Sequence, residues 1–84
     1  MIDEKARRIA LEIAAEYTRA RIIHPPMHSP HEGYAVILEE VDELKKLVWQ
    51  YSSNNSGLFI KAQMREECLH IAAMALSFIL ELTN

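Results

Sequence analysis

Cys68–Leu82, with the sequence CLHIAAMALSFILEL, is the segment that most limits how this chain can pack. Twelve of its 15 residues are apolar, and at helical spacing they lie on every side. A helix that is apolar all round is buried all round. A membrane span needs about 20 residues, so this stretch predicts a core helix. Two other helices of one small chain would cover it poorly, and we therefore expect it to pack against a second copy across a twofold axis.

The composition around this stretch indicates one ordered helical domain over residues 1–84. Half of the residues are apolar, a quarter are charged, and only 2 Gly and 3 Pro are present, which leaves few turns for an all-β fold. The net charge of −3 argues against a nucleic-acid partner. A single cysteine and a charged start without an apolar run argue against secretion, so we expect a cytoplasmic protein with no membrane partner.

A first helix is predicted from about Asp3 to Ile23, before Pro25 and Pro26, which cannot donate backbone hydrogen bonds. Asp3 is placed where the helix dipole favours negative charge. The apolar side chains of this helix recur at three- and four-residue steps, which is one helical face. They are Ile2, Ala6, Ile9, Ile13, Tyr17 and Ala20.

A second helix is predicted from the capping box formed by Ser29 and Glu32, with Pro30 at the first helical position. It should fade near Tyr51, where the polar run 52–57 predicts a turn. The third helix then runs from about Leu58 to Leu82. The apolar face predicted for the second helix comprises Tyr34, Ile37, Leu38, Val41, Leu44 and Val48. We therefore expect an all-α, three-helix antiparallel bundle, completed by dimerisation into a four-helix-type core across subunits.

Two carboxylates of the second helix break its pattern. Glu39, Asp42 and Lys46 point to solvent at 100° per residue, whereas Glu40 and Glu43 fall in a stripe that is otherwise apolar. An ionised carboxylate is costly in such a stripe unless something compensates its charge.

The third helix carries one narrow polar stripe, in which Glu67 and His70 are three residues apart and therefore neighbours. The stripe comprises Gln63, Glu67, His70, Ser77 and Glu81. Two helices joined by a short turn can face the Glu40–Glu43 pair towards the Glu67–His70 pair. A hard divalent ion would resolve the repulsion between these groups. The alternatives are a solvated acidic face and a hydrogen-bonded core histidine.

These residues resemble a known pattern. Glu39-Glu40-Val41-Asp42-Glu43 matches E-E-x-x-E, and after 23 intervening residues Glu67-Cys68-Leu69-His70 takes the place of E-x-x-D. Together with the lead-in Ser29–Tyr34, they are similar to the short, phage-type or bacterial MazG-like nucleoside triphosphate pyrophosphohydrolases. The similarity covers roughly residues 29–76.

The resemblance implies hydrolysis of a nucleoside triphosphate to monophosphate and pyrophosphate, by dimers or dimers of dimers. It implies that Glu40, Glu43 and Glu67 are catalytic and hold Mg²⁺, together with His70 in place of the family's Asp. Because imidazole suits other ions better than Mg²⁺, Mn²⁺ or another divalent ion is an alternative. The basic side chains that flank Glu67 are candidates for phosphate contacts, with ordinary solvated charges as the alternative; they are Lys61 and Arg65.

Two other functions stay open. One is a non-catalytic relative of the same fold that binds nucleotides or acts as an oligomeric regulator. The other is a carboxylate-bridged di-iron bundle, because Glu67-x-x-His70 has the spacing that such sites use.

Overall fold

The protein consists of three helices in the part of the chain that the structure, a computed structural model, describes, which is residues 3–54 and 57–84. They are α1 (Glu4–Ile23), α2 (Pro30–Asn54) and α3 (Leu58–Leu82), and no strand occurs within those residues. The all-helical prediction is confirmed. Ile2 and residues 55–56 of the expected turn lie outside the described residues.

The helices begin where the sequence supplies caps. Asp3 Oδ1 accepts a hydrogen bond from the Ala6 amide at 2.8 Å, and Ser29 Oγ accepts one from the Glu32 amide at 3.1 Å. The Glu32 carboxylate accepts a hydrogen bond from the His28 amide at 2.6 Å. The predicted capping box would use the amide of Ser29, one residue later. Gly57 precedes α3 with a φ of +71°, a conformation that glycine adopts at no steric cost.

The α3 helix lies between the other two. Glu12 and Arg21 of α1 pair with Arg65 and Glu81 of α3 respectively, so α1 and α3 run parallel. The α2 helix packs antiparallel on α3, and within the described residues α1 and α2 do not pack on each other. A cleft of about 390 Å³ therefore remains between α1 and α2, with α3 as its floor.

The side of α2 that packs on α3 differs from the predicted apolar face. Ile37 and Leu44 are partly buried as expected, but Tyr34 is 63% exposed. Leu38, Val41 and Val48 are exposed as well. The packed side instead comprises Gly33, Val36, Ile37, Glu40, Leu44 and Leu47. Gly33 fits this rotation, because a Cβ there would lie 2.7 Å from Cδ2 of Phe78, and glycine leaves that space to the Phe78 side chain.

The core of the single chain is thin. Among the described residues, the buried apolar ones are Ala20, Ile60, Leu69 and Ala73, and each is small or medium in size. The side of α3 opposite His70 carries Cys68 and Ile79, which are both exposed, although the sequence predicted Cys68 to be a buried apolar residue. None of the helices in the described ranges is long and apolar enough to cross a membrane.

Candidate metal centre

His70 lies in the middle of α3 among carboxylates from all three helices. Its Nδ1 atom is 3.5 Å from Glu40 Oε2 and 3.6 Å from Glu67 Oε1. Its Nε2 atom is 3.4 Å from Glu66 Oε1 and 3.8 Å from Glu16 Oε2. Glu66 and Glu67 precede His70 by four and three residues, which places them beside the ring on the same helix. Each ring nitrogen therefore faces a pair of carboxylates.

The two carboxylate pairs differ in whether a hydrogen-bond donor or solvent already compensates their negative charge. On the Nε2 side, the Arg19 guanidinium donates to both oxygens of Glu16, at 3.2 and 2.7 Å, and the Glu66 side chain is 60% exposed. On the Nδ1 side, Glu40 and Glu67 are largely covered, and Glu67 Oε1 is shielded from solvent without a hydrogen-bond partner. A cation is therefore most needed on the Nδ1 side.

Electrostatics agree with this assignment. Burial, followed by the neighbouring Glu67 carboxylate, raises the pKa of Glu40 to about 7, and His70 opposes this shift. The hydrogen bond from Arg19 lowers the pKa of Glu16. A carboxyl with a raised pKa beside a second carboxylate becomes easy to ionise once a cation lies between the two.

The residues fit a divalent ion. Glu40, Glu67 and His70 each offer one donor atom, and these three atoms lie within 4.8 Å of one another. A histidine that ligates through one ring nitrogen usually donates its other N–H to a carboxylate, which fixes the ring. Glu66 and Glu16 face Nε2 at 3.4 and 3.8 Å and are the carboxylates placed to give that support. Two carboxylate oxygens and one imidazole nitrogen form a donor set suited to Mn²⁺, Fe²⁺ or Zn²⁺, and Mg²⁺ would have to accept a nitrogen ligand.

The remaining carboxylate of the sequence prediction lies apart from this group. Glu43 is more than half exposed and contacts Lys46 at 3.4 Å. It lines a second depression, which Glu67 and Gln63 also line. Glu67 therefore lies between the His70 group and Glu43.

The two predicted phosphate contacts have partners elsewhere. Arg65 makes two hydrogen bonds to the Glu12 carboxylate, at 2.9 and 2.7 Å. The Lys61 ammonium lies 5.9 Å from the centre of the Tyr51 ring. Arg65 thus joins α1 to α3.

Sequence reasoning missed Glu16, although a signal was present. Glu16 lies between Ile13 and Ala20 on the face of α1 that packs on α3, and is only partly exposed. That is the same anomaly that singled out Glu40: a carboxylate inside an apolar stripe. Its partner Arg19, three residues further on, is the compensating charge.

Comparison of the chain with protein-family models, with curated proteins and with solved structures finds no match. The similarity to MazG-like pyrophosphohydrolases therefore rests on motif spacing.

Proposed function

We propose that the chain is a metal-dependent nucleoside triphosphate pyrophosphohydrolase whose ion is held by Glu40, Glu67 and His70. The observation that carries the proposal is the buried, unpartnered Oε1 of Glu67 beside Nδ1 of His70 and a Glu40 carboxyl with a raised pKa. Buried acceptors without a donor are rare in folded proteins. A divalent ion satisfies all three groups at once.

The cleft beside this group has the size and charge for such a substrate. Glu40 and His70 line it, and its volume of about 390 Å³ falls within the range of small-molecule sites. Five glutamates and two arginines line it, so a triphosphate would be repelled by the bare protein. A bound divalent cation would neutralise the phosphate oxygens and orient the leaving pyrophosphate.

Residues of the chain would position the substrate, accept the proton of the attacking water and support the His70 ring. Glu67 and His70 fix the position at which the α-phosphate is presented. A carboxylate oxygen that does not ligate the ion, on Glu40 or on Glu43, accepts the proton of the attacking water. Arg19 holds the Glu16 carboxylate, which lies 3.8 Å from Nε2 of His70 and would help to keep Nδ1 directed at a bound ion.

Self-association belongs to the same proposal. The exposed row of α2 comprises Tyr34, Leu38, Val41 and Val48, and on α3 Cys68 and Ile79 face outward. We define these six residues as the back face. Because α1 covers only one side of α3, a second copy seated on the back face would bury apolar surface that the single chain leaves in water. Two α2–α3 pairs would then form the four-helix core.

The test is a turnover assay with a panel of ribo- and deoxynucleoside triphosphates, with Mg²⁺ or Mn²⁺. The products are separated by anion exchange. We expect monophosphate and pyrophosphate from the wild type and a loss of at least about 100-fold in Glu40→Gln and Glu67→Gln, because each removes a ligand charge. Asp42→Asn, an exposed change on the same helix, is the matched control and should retain full activity.

The same assay separates the competing functions. Nucleotide binding without turnover, by a protein that still binds the ion, would establish the non-catalytic alternative. A protein that purifies with iron and is coloured when oxidised would establish the di-iron alternative. Either result overturns the proposed hydrolysis.

A further inference from the structure

The connection between α1 and α2 bounds one end of the cleft. It joins the two helices that form the cleft walls, and His24, Pro25, Pro26 and Met27 line the cleft. Pro25 and Pro26 have no N–H to donate, and each ring fixes its own φ at about −65°. Met27 is half-buried, whereas the residues on either side of it are exposed. The connection is therefore a stiff segment that reaches into the protein at Met27.

Glu81, in the last turn of α3, holds this segment. Its Oε1 atom accepts a hydrogen bond from the Met27 amide at 2.9 Å. Among the hydrogen bonds of the described residues, this is the one that joins the connection to α3. The next amide, that of His28, donates instead to Glu32 of α2 at 2.6 Å. The hydrogen bonding of the connection to α3 therefore rests on a single carboxylate.

The Glu81 carboxylate is paired with Arg21 of α1 without an aligned hydrogen bond. Nε of Arg21 lies 3.0 Å from Oε2 of Glu81, yet Oε2 has no hydrogen-bond partner, and neither has Nη1 of Arg21. Both atoms are shielded from solvent. Arg65 and Glu12, by contrast, meet through two hydrogen bonds at 2.9 and 2.7 Å. The Arg21–Glu81 pair thus lacks the bidentate geometry that makes such pairs strong.

The unpartnered atoms of this pair lower the cost of opening this end of the cleft. A buried donor or acceptor without a partner has lost its hydration and gained no hydrogen bond. When the connection moves away from Glu81, water can reach the carboxylate and the Arg21 guanidinium, and the regained hydration offsets the loss of the bond to Met27. The closed and open arrangements therefore differ by less free energy than a fully hydrogen-bonded pair would impose.

We propose that residues 24–29 form a strap that opens and closes this end of the cleft, and that Glu81 is its latch. In the closed state the Met27 amide is bonded to Glu81 and the Met27 residue is half-buried. In the open state that bond is broken, and Met74, which lines the cleft from α3, gains access to solvent. Entry through this end does not depend on which ligand the metal centre holds.

The experiment uses the full chain without ligand and reads two quantities. Amide hydrogen exchange, followed by NMR, compares the protection of Met27 with that of Ala73, which is fully buried in α3. Oxidation by hydrogen peroxide, followed by mass spectrometry, compares Met74 in the cleft with Met64, which does not line it. Neither measurement requires an ion or a nucleotide, so a failure of the proposed hydrolysis leaves both results readable.

Three variants accompany the wild type. Glu81→Ala removes the latch, and Glu81→Gln keeps an oxygen for the Met27 amide. Thr83→Ala, an exposed change at the same end of α3, is the control and should match the wild type in both measurements. Thermal unfolding checks that each variant folds.

In the wild type we expect the Met27 amide to exchange by local opening, faster than Ala73, whose exchange requires α3 to unfold. Glu81→Ala should lower the protection of Met27 relative to Ala73 by at least about tenfold, as the loss of a hydrogen bond to a charged acceptor predicts. It should also raise the oxidation of Met74 relative to Met64. Glu81→Gln should recover part of both effects.

Two results would overturn the proposal. Equal protection of Met27 and Ala73 in the wild type would show that the strap opens only when the whole chain unfolds. Lower protection of Met27 in Glu81→Ala without greater oxidation of Met74 would show that a bond is lost while the cleft stays closed. Because each comparison is made within one protein, a lower overall stability of a variant does not imitate either effect.

Discussion

Nδ1 of His70 on α3 lies 3.5 Å from Oε2 of Glu40 on α2. This contact crosses the antiparallel interface between the two helices at a position where an apolar pair would ordinarily lie. It places a nitrogen donor where the E-x-x-D pattern has a carboxylate. If the proposed metal centre binds an ion, its preference for one ion over another should depend on His70.

Replacing His70 with Asp should shift that preference towards Mg²⁺. The change supplies a hard oxygen ligand in place of imidazole, so we expect Mg²⁺ to bind about tenfold more tightly relative to Mn²⁺ or Zn²⁺. Competition calorimetry with the three ions measures the ratio. His31→Asp, an exposed change at the start of α2, is the control. An unaltered ratio in His70→Asp would show that His70 is not a ligand.

Glu40 should make the stability of the metal-free protein depend on pH. Its pKa is about 7 in the folded protein, against a usual value of 4.5 in the unfolded chain. The folded state therefore holds this proton in a pH range where the unfolded state has released it, and the stabilisation is lost as pH rises from 4.5 through 7. Urea unfolding at pH 5 and 7.5 should show a larger fall for the wild type than for Glu40→Gln. Equal falls in the two proteins would contradict the raised pKa.

Metal binding should release protons near neutral pH. An ion requires ionised Glu40, which is about half protonated at pH 7, so binding expels that proton. Calorimetry at pH 7 in two buffers with different ionisation enthalpies should give different apparent heats for the wild type. In Glu40→Gln, which lacks this proton, the apparent heat should no longer depend on the buffer through residue 40. A heat that is the same in both buffers for the wild type would contradict the prediction.

Gly33 should tolerate no side chain. A Cβ at this position would lie 2.7 Å from Cδ2 of Phe78 and 2.9 Å from Cδ1 of Leu82. Gly33→Ala should therefore lower the free energy of unfolding by about 1–3 kcal/mol, the usual range for overpacking, although alanine favours helix more than glycine does. Combining it with Phe78→Leu should recover part of the loss. A Gly33→Ala protein as stable as the wild type in urea would show that α2 and α3 are further apart.

A charge on the back face should dissociate the assembly. We expect the wild type to be at least a dimer in size-exclusion chromatography with light scattering, and Val41→Glu to be a monomer, because an unpaired carboxylate would be buried between the copies. Ile22→Glu is the matched control, since Ile22 is exposed on α1 outside the back face. A monomeric wild type at tens of micromolar would contradict the proposed interface.

The parts of the fold that local chemistry determines could be predicted from the sequence. Ser29, Pro30 and Pro25 mark where helices start and stop regardless of what packs on them, and the Glu67–His70 contact follows from their spacing on one helix. The rotation of α2 could not be predicted, because two of its faces are apolar. The choice between them depends on the close approach that Gly33 allows to Phe78.

The residues of the site also divide into those that the local sequence predicts and those whose contacts depend on helix packing. Glu40 was predicted as a carboxylate in an otherwise apolar stripe of α2, and Glu67 as a member of the narrow polar stripe of α3. Arg65 was a candidate for a phosphate contact, with a solvated charge as the alternative, but it pairs with Glu12, because α1 lies parallel to α3 and brings that carboxylate alongside. Contacts between helices distant in sequence depend on which helix lies beside which, and periodicity within one helix does not contain that information.

Because α1 packs on one neighbouring helix only, it should open to solvent more readily than α3, which packs on two. Within the described residues α1 packs on α3 alone, and an exposed ion pair, Arg65–Glu12, is one of its attachments. Such pairs weaken as salt is added. The amide protons of α1 should therefore exchange with solvent before those of α3, and faster in high salt. Ionic strength would then loosen the support that Glu16 gives to His70 without any change in the ligands themselves.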